Sequence, residues 1–183
     1  MGWGDVFEIR EREDFRHVER LNLTVKRVLE KVGVRIDDLK GILLTVGPGY
    51  FTSLRVAASF VKALHLVLKV PVYGFNTLQA MAVGLEDGRY AVTLDARKGQ
   101  VYARTFRVDG GIPVEDDSLP LSIYDPDTLP PPGYRLIDNP DDRLRASNLF
   151  PLYFAGLGSE LDPRFSPLYV RPPDAVVNRR TER

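Results

Sequence analysis

The chain has 183 residues, with 25 lysines and arginines balancing 25 aspartates and glutamates, and no cysteine. That length suits one large domain or two small ones, each able to bury a core. Without cysteine there is no disulfide framework, thiolate zinc site or cysteine nucleophile, and the balanced charge demands no polyanionic partner, although a local basic patch stays open. No apolar run reaches membrane-spanning length and the acidic start, Met1 to Asp14, does not read as a signal peptide, so the expected location is cytoplasmic.

In chain order, Asp5 to Asp14 alternates in part and predicts an edge strand with one solvated face. Asp14 is placed to cap a first helix over Phe15 to Val32. Its apolar positions Val18, Leu21, Val25, Val28, Leu29 and Val32 form one stripe, and Gly33 ends it. Arg35 to Lys40 reads as a turn capped by Asp37 and Asp38. Gly41 to Val46 is a short apolar strand, broken by Gly47-Pro48-Gly49. Thr52 or Ser53 is expected to cap a second helix reaching Leu68, apolar on most of its circumference. Val70 to Phe75 reads as a strand, and Asn76 or Thr77 caps a helix over Leu78 to Val83. The first half is thus β-α-β-α-β-α, which argues a mainly parallel sheet. Glu86-Asp87-Gly88 marks a boundary between an N-terminal subdomain, 1–85, and a C-terminal one, 86–183. Arg89 to Asp95 and Gln100 to Val108 read as a hairpin turning at Ala96 to Gly99. Asp109 to Pro132 is proline-rich and reads as loop. Tyr134 to Asp138 reads as the last strand. Ala146 to Leu157 has a helical pattern interrupted by Pro151, and Asn178 to Arg183 is a polar tail expected to fray.

Few residues invite chemistry. The Gly47–Thr52 loop precedes a helix N-terminus, where free N–H groups attract anions, but no lysine follows as in a P-loop; a tight turn that seats the helix on the sheet competes with a phosphate site. Arg55 either binds phosphate or braces that loop through a carboxylate or loop carbonyls. His17 and His65 are the only histidines and lack metal-ligand spacing, so His17 is assigned a surface or interface role. Asp95 ends a strand with no paired carboxylate, and is expected to accept hydrogen bonds from turn N–H groups near Lys98 and Gly99. Arg97 and Lys98, at the hairpin tip, either contact RNA phosphates or are simply solvated. No serine has a base evident in sequence. What remains is apolar helix surface. The first two helices carry more valine and leucine than one sheet face covers, so they are expected to meet a partner helix pair, unless the C-terminal half covers them. The interface candidates are His17, Val18, Leu21, Val25, Val28, Leu29, Val56, Phe60 and Leu64. Gly47, Pro48, Gly49, Thr52, Arg55 and Asp95 are assigned to a structural loop.

Three motifs carry a family resemblance. Val46-Gly-Pro-Gly-Tyr-Phe-Thr-Ser-Leu-Arg55 resembles the G-P-G-x-F-T-G-L-R signature of the TsaB (YeaZ-like) family, with Ser53 in place of glycine and Tyr50 in place of a small residue. Leu94-Asp-Ala-Arg-Lys-Gly-Gln-Val-Tyr102 resembles its D-A-R-x-x-E-V-Y hairpin, with Gln100 in place of glutamate. Pro167-Leu-Tyr-Val-Arg171, followed by Pro172 to Ala175, resembles its P-x-Y-L-R-x-x-x-A ending, and Arg16-His17-x-Glu19 is similar to the R-H-S-E start of its first helix. The resemblance implies an α/β fold of the actin-like ATPase, RNase-H-like kind in two subdomains. It implies a non-catalytic scaffold for N6-threonylcarbamoyladenosine formation at position 37 of tRNAs. Threonylcarbamoyl transfer and the metal then belong to a TsaD-like partner held by helices 15–32 and 52–68, with a TsaE-like ATPase in the larger complex and tRNA engaged indirectly. The family's opening hairpin has no counterpart before Asp5, which implies that the chain alone binds no nucleotide and needs no cofactor. A metal-dependent peptidase-like hydrolase and a homodimeric regulator without a tRNA role stay open as alternatives.

Overall fold

The computed structural model describes residues 17–171, with side-chain surroundings from Leu21 onward and that of Asp141 excepted. The strand expected over residues 5–14, the helix cap expected at Asp14, the first two residues of the first helix and the tail beyond Arg171 lie outside the described residues. The first helix is described as α1 (His17–Val32). Gly33 ends it at φ +68°, where the Val34 N–H reaches the Leu29 carbonyl at 3.1 Å; only glycine takes that backbone without strain. Asp37 and Asp38 do not cap the following turn. They lie inside a single 3-10 turn, Ile36–Asp38, whose cap position is Arg35, and Arg35 pairs with Asp37 at 3.2 Å.

β1 (Ile42–Gly47) and β2 (Val72–Asn76) are parallel neighbours joined by α2 (Phe51–Leu68). The cap of α2 is Tyr50, not Thr52 or Ser53, and it makes no side-chain capping bond. The reason is the Pro48-Gly49 break, which brings Tyr50 in extended at φ −65°, ψ 126°, so that its carbonyl already accepts the Leu54 N–H at 3.0 Å. Thr52 therefore sits within the first turn. Asn76 caps α3 (Thr77–Ala82) as expected, its Oδ1 accepting the Leu78 N–H at 2.9 Å.

β3 (Gly88–Asp95) and β4 (Val101–Asp109) form the expected hairpin, Asp95 opposite Val101. The segment expected to be loop instead holds β5 (Ile112–Asp116) and β6 (Ser122–Tyr124), both antiparallel to β4. Thr105, buried in β4, ties them down: its hydroxyl donates to the Asp116 carbonyl at 2.8 Å and accepts the Leu119 N–H at 2.9 Å. β7 (Arg135–Ile137) lies parallel to β3. This sheet runs β5-β4-β3-β7, with β6 also on β4. α4 (Leu149–Phe154) forms in spite of Pro151, which is its third residue, where a backbone N–H has no intrahelical acceptor. The last described strand is β8 (Ser159–Glu160), not Tyr134 to Asp138. It returns to pair antiparallel with β2, so among the described residues the first sheet is β1-β2-β8, with β1 and β2 parallel as the alternation of the first half argues and β8 making the sheet mixed.

α3 joins the two sheets. All six of its residues are buried. Leu78, Met81 and Ala82 pack with Tyr90, Val92, Phe106 and Val108 of the second sheet, while Ala80 packs with Phe75, Leu149 and Leu152 on the first. α2 is different. It lies on β1 yet buries only Ala58 and Val61, and α1 packs along it. By length and composition α2 also reaches the threshold of a membrane span, with 18 residues of mean hydropathy 1.4, which corrects the expectation that no run does. Arg55, Lys62 and His65 interrupt it, and its seat on β1 accounts for one apolar side.

Candidate functional site

The Gly47 loop, the hairpin turn after β3 and the chain around Tyr169 converge in space. Gly47 adopts φ +130°, and a Cβ there would stand 2.6 Å from the Leu168 carbonyl oxygen, so only glycine lets the returning chain lie against the loop. The Leu168 N–H then donates to the Val46 carbonyl at 2.8 Å. Pro48 is buried below this contact. Gly47 and Pro48 thus lie in a tight turn closed by a segment far along the chain.

Asp95 belongs to the same junction. Its Oδ1 accepts the Arg97 N–H at 2.7 Å, one residue earlier than the donors expected near Lys98 and Gly99, because Arg97 and Lys98 both adopt left-handed backbone at φ 63° and 58°. Its Oδ2 accepts a long 3.4 Å bond from the Tyr50 hydroxyl, and its N–H donates to Asn139 Oδ1 at 3.2 Å. Asp95 therefore joins the hairpin to the cap residue of α2. The guanidinium of Arg97 lies 4.9 Å from the Tyr50 ring centre. Beside them, Asp138 Oδ1 accepts the Thr93 hydroxyl at 2.6 Å.

Arg171 is the residue whose role the sequence pattern concealed. One guanidinium nitrogen donates to the Ala96 carbonyl at 2.7 Å and to that of Arg97 at 3.4 Å, and the other bonds the Gln100 side chain. The P-x-Y-x-R tail motif was the signal available, but nothing local to it points 75 residues back to the hairpin. Burial pushes the Tyr102 hydroxyl up, a shift that Arg171 opposes and Asp95 reinforces, so both charges are felt at one ring. Arg55 does not brace the loop among the described residues. It lies over Phe51, 5.3 Å from the ring centre, and Phe51 in turn meets Tyr169 at 4.9 Å.

The described part of α1 presents Leu21, Val25, Val28 and Leu29 half-buried, and α2 presents Val56, Phe60 and Leu64 likewise. The side chains of His17 and Val18 lie outside the described residues. Farther out, Leu23, Leu66 and Val67 are 55%, 78% and 76% exposed. The C-terminal half touches α2 at its edge, where Lys62 Nζ lies 5.0 Å from the Phe165 ring centre and Phe51 meets Tyr169, yet among the described residues Leu66 and Val67 keep their exposure. Among the described residues no group of three or more acidic or histidine side chains could hold a metal ion.

The family model for TsaD, tRNA N6-adenosine threonylcarbamoyltransferase, matches residues 11–118. The chain belongs to this family. Among curated relatives, it is similar to the TsaB tRNA threonylcarbamoyladenosine biosynthesis protein of Escherichia coli strain K12, at 32% identity over 107 residues, 56% of this chain and 45% of the relative. TsaB of Buchnera aphidicola from Schizaphis graminum is 28% identical over 101 residues, 53% of this chain and 48% of the relative. A tRNA N6-adenosine threonylcarbamoyltransferase of Caldicellulosiruptor bescii is 38% identical over 76 residues, 42% of this chain and 22% of that enzyme. The chain spans about half the length of the TsaB relatives it matches. The curated relatives it resembles thus include both TsaB proteins and tRNA N6-adenosine threonylcarbamoyltransferases. A Pseudomonas aeruginosa structure described as an uncharacterised protein with similarity to peptidase YeaZ superposes with a TM-score of 0.72 at 22% identity, covering 86% of this chain and 85% of that one. YeaZ from the same organism gives 0.68 at 23% identity, covering 86% of each. The fold of this family member is accordingly the actin-like, RNase-H-like α/β fold expected from the motifs.

Proposed function

We propose that this chain is a non-catalytic subunit of the machinery that forms threonylcarbamoyladenosine in tRNA, and that it docks a TsaD-like catalytic subunit through α1 and α2. The observation that carries this reading is the state of α2. An 18-residue helix buries two residues and leaves Leu66 and Val67 more than three-quarters exposed, in a chain whose family matches lie with TsaB and TsaD proteins. Apolar helix surface of that kind is stabilised by a second helix pair, and packing at a shallow crossing angle makes a four-helix bundle. Val56, Phe60, Ala63 and Val67 recur every four, three and four residues, which places them on one face of α2. Leu21, Val25, Val28 and Val32 do the same on α1. A TsaE-like ATPase joins the larger assembly, the chain works in the cytoplasm, and catalysis and any metal belong to the TsaD-like partner.

Co-purification of the tagged chain with the TsaD-like protein of its own organism tests this. Val25→Asp and Phe60→Asp are expected to abolish the complex while each variant keeps a cooperative unfolding transition. Folded variants that still capture the partner would reject the interface. A chain that forms only its own dimer, and no mixed complex, would reject the subunit role in favour of a homodimeric regulator.

A further inference from the structure

At the junction of loop, hairpin and tail, two aromatic rings each carry an arginine. Tyr50 is 49% exposed; its hydroxyl is held by Asp95 and Arg97 lies on its ring. Phe51, next in the chain, sits between Arg55 and Tyr169. Arg97, Lys98 and Arg55 are all exposed residues. Arg97 and Lys98 also occupy left-handed backbone positions that asparagine and glycine fill with less strain, and Arg171 and Asp95 bond the backbone that holds them there. Two charged side chains are thus kept at a turn whose geometry alone would select neither. Of the acidic groups at this junction, Asp95 has its oxygens engaged by the Arg97 N–H and the Tyr50 hydroxyl.

We propose that Tyr50, Arg55, Arg97 and Lys98 form a contact surface for single-stranded RNA, an inference that rests on the tRNA-modification reading above. An unpaired loop offers flat base faces that stack on aromatic and guanidinium planes, and phosphates that pair with the flanking cations. A duplex hides its base faces, so it gains only the phosphate contacts. Because net charge is balanced over the whole chain, attraction here is local, and the ring supplies the preference for unpaired bases.

The test measures fluorescence anisotropy of a labelled RNA hairpin with an unpaired loop, and of a blunt duplex with the same stem, at several salt concentrations. The protein is the full chain in complex with its TsaD-like partner. Tyr50→Ala is expected to weaken hairpin binding roughly tenfold and leave duplex binding unchanged, while Tyr50→Phe retains affinity. The pair Arg97→Asn and Lys98→Gly suits the left-handed turn and keeps the hairpin folded. It is expected to weaken both RNAs and flatten the salt dependence by about 0.7 logarithmic units per cation removed. Folded variants that bind as the parent does overturn the proposal, as does equal dependence of hairpin and duplex on Tyr50. Partner capture is measured on the same samples. Lost RNA binding with retained partner supports this surface. A parent complex that assembles and binds no RNA overturns the surface and leaves the subunit reading standing, whereas a chain that captures no partner overturns that reading.

Discussion

Gly47 shows how much one residue settles. Its φ of +130° and the 2.6 Å separation of a built Cβ from the Leu168 carbonyl act in the same direction, and the obstacle is backbone, which no rotamer change relieves. Gly47→Ala is expected to cost between about 1 and 3 kcal/mol in chemical denaturation. It is also expected to detach the returning tail, read as faster hydrogen exchange at the Leu168 amide. Asp116 is a second such residue. Hydrogen bonds from Ser118 hold its carboxyl down at about 2, with a further bond from the Tyr134 hydroxyl at 2.8 Å. Its folded value lies below the unfolded one, so the stability it contributes is complete above about pH 4 and is lost as pH falls through about 2. Thermal melts of Asp116→Asn should therefore match the parent's pH slope above that window and show a flatter loss of stability inside it. Identical slopes throughout would mean that the carboxylate is not held by these bonds in solution.

Among the elements, those that announce themselves by local chemistry were legible. Gly33 stops α1, Asn76 caps α3, and Ala96 to Gly99 turns the hairpin, each for a reason contained within a few residues. Asn76→Ala is expected to destabilise the chain by about 1 kcal/mol, because α3 is buried and the Leu78 N–H has no water in place of the lost acceptor, while Asn76→Asp restores most of it. Urea midpoints of the three proteins check this. Elements settled by distant partners were not legible. β8 has two residues and exists because β2 offers an edge, and β5 and β6 pair with β4 although the segment that holds them is proline-rich. The candidate site divides the same way: the Gly-Pro-Gly loop is visible in sequence, but the Tyr50–Asp95 and Arg171–Ala96 contacts join positions 45 and 75 residues apart. The apolar excess of α2 was visible from composition, and the structure locates it. Val67→Asp offers a cleaner probe than Phe60→Asp, because Val67 is 76% exposed. It should change the stability of the isolated chain by less than about 0.5 kcal/mol and still abolish partner capture.

Across the whole molecule, two sheets share one small buried helix, and this sharing decides how the chain unfolds. The carbonyls at the end of α3 have no helical partners, and side chains from beyond β7 satisfy them. Arg143 donates to Met81 and Val83, each at 3.0 Å, and Asn148 donates to Ala80 at 2.9 Å. The α3 face toward the second sheet is tied in a similar way, with Gln79 donating to the Pro113 carbonyl at 2.9 Å. Arg143 holds two carbonyls with one planar fork, a geometry that lysine cannot reproduce. Arg143→Met keeps much of the apolar stem but leaves both acceptors without their donor. Each orphaned acceptor costs about 1 to 3 kcal/mol, so a loss of about 3 kcal/mol is expected. Since α3 belongs to the cores of both sheets, that loss should be felt by both together: tyrosine fluorescence, which samples both sheets through Tyr73 on the first and Tyr90 and Tyr102 on the second, and far-ultraviolet circular dichroism should shift to the same lower denaturant midpoint. If the variant instead unfolded in two steps, one sheet outlasting the other, α3 would be a passenger on one core rather than the joint between them.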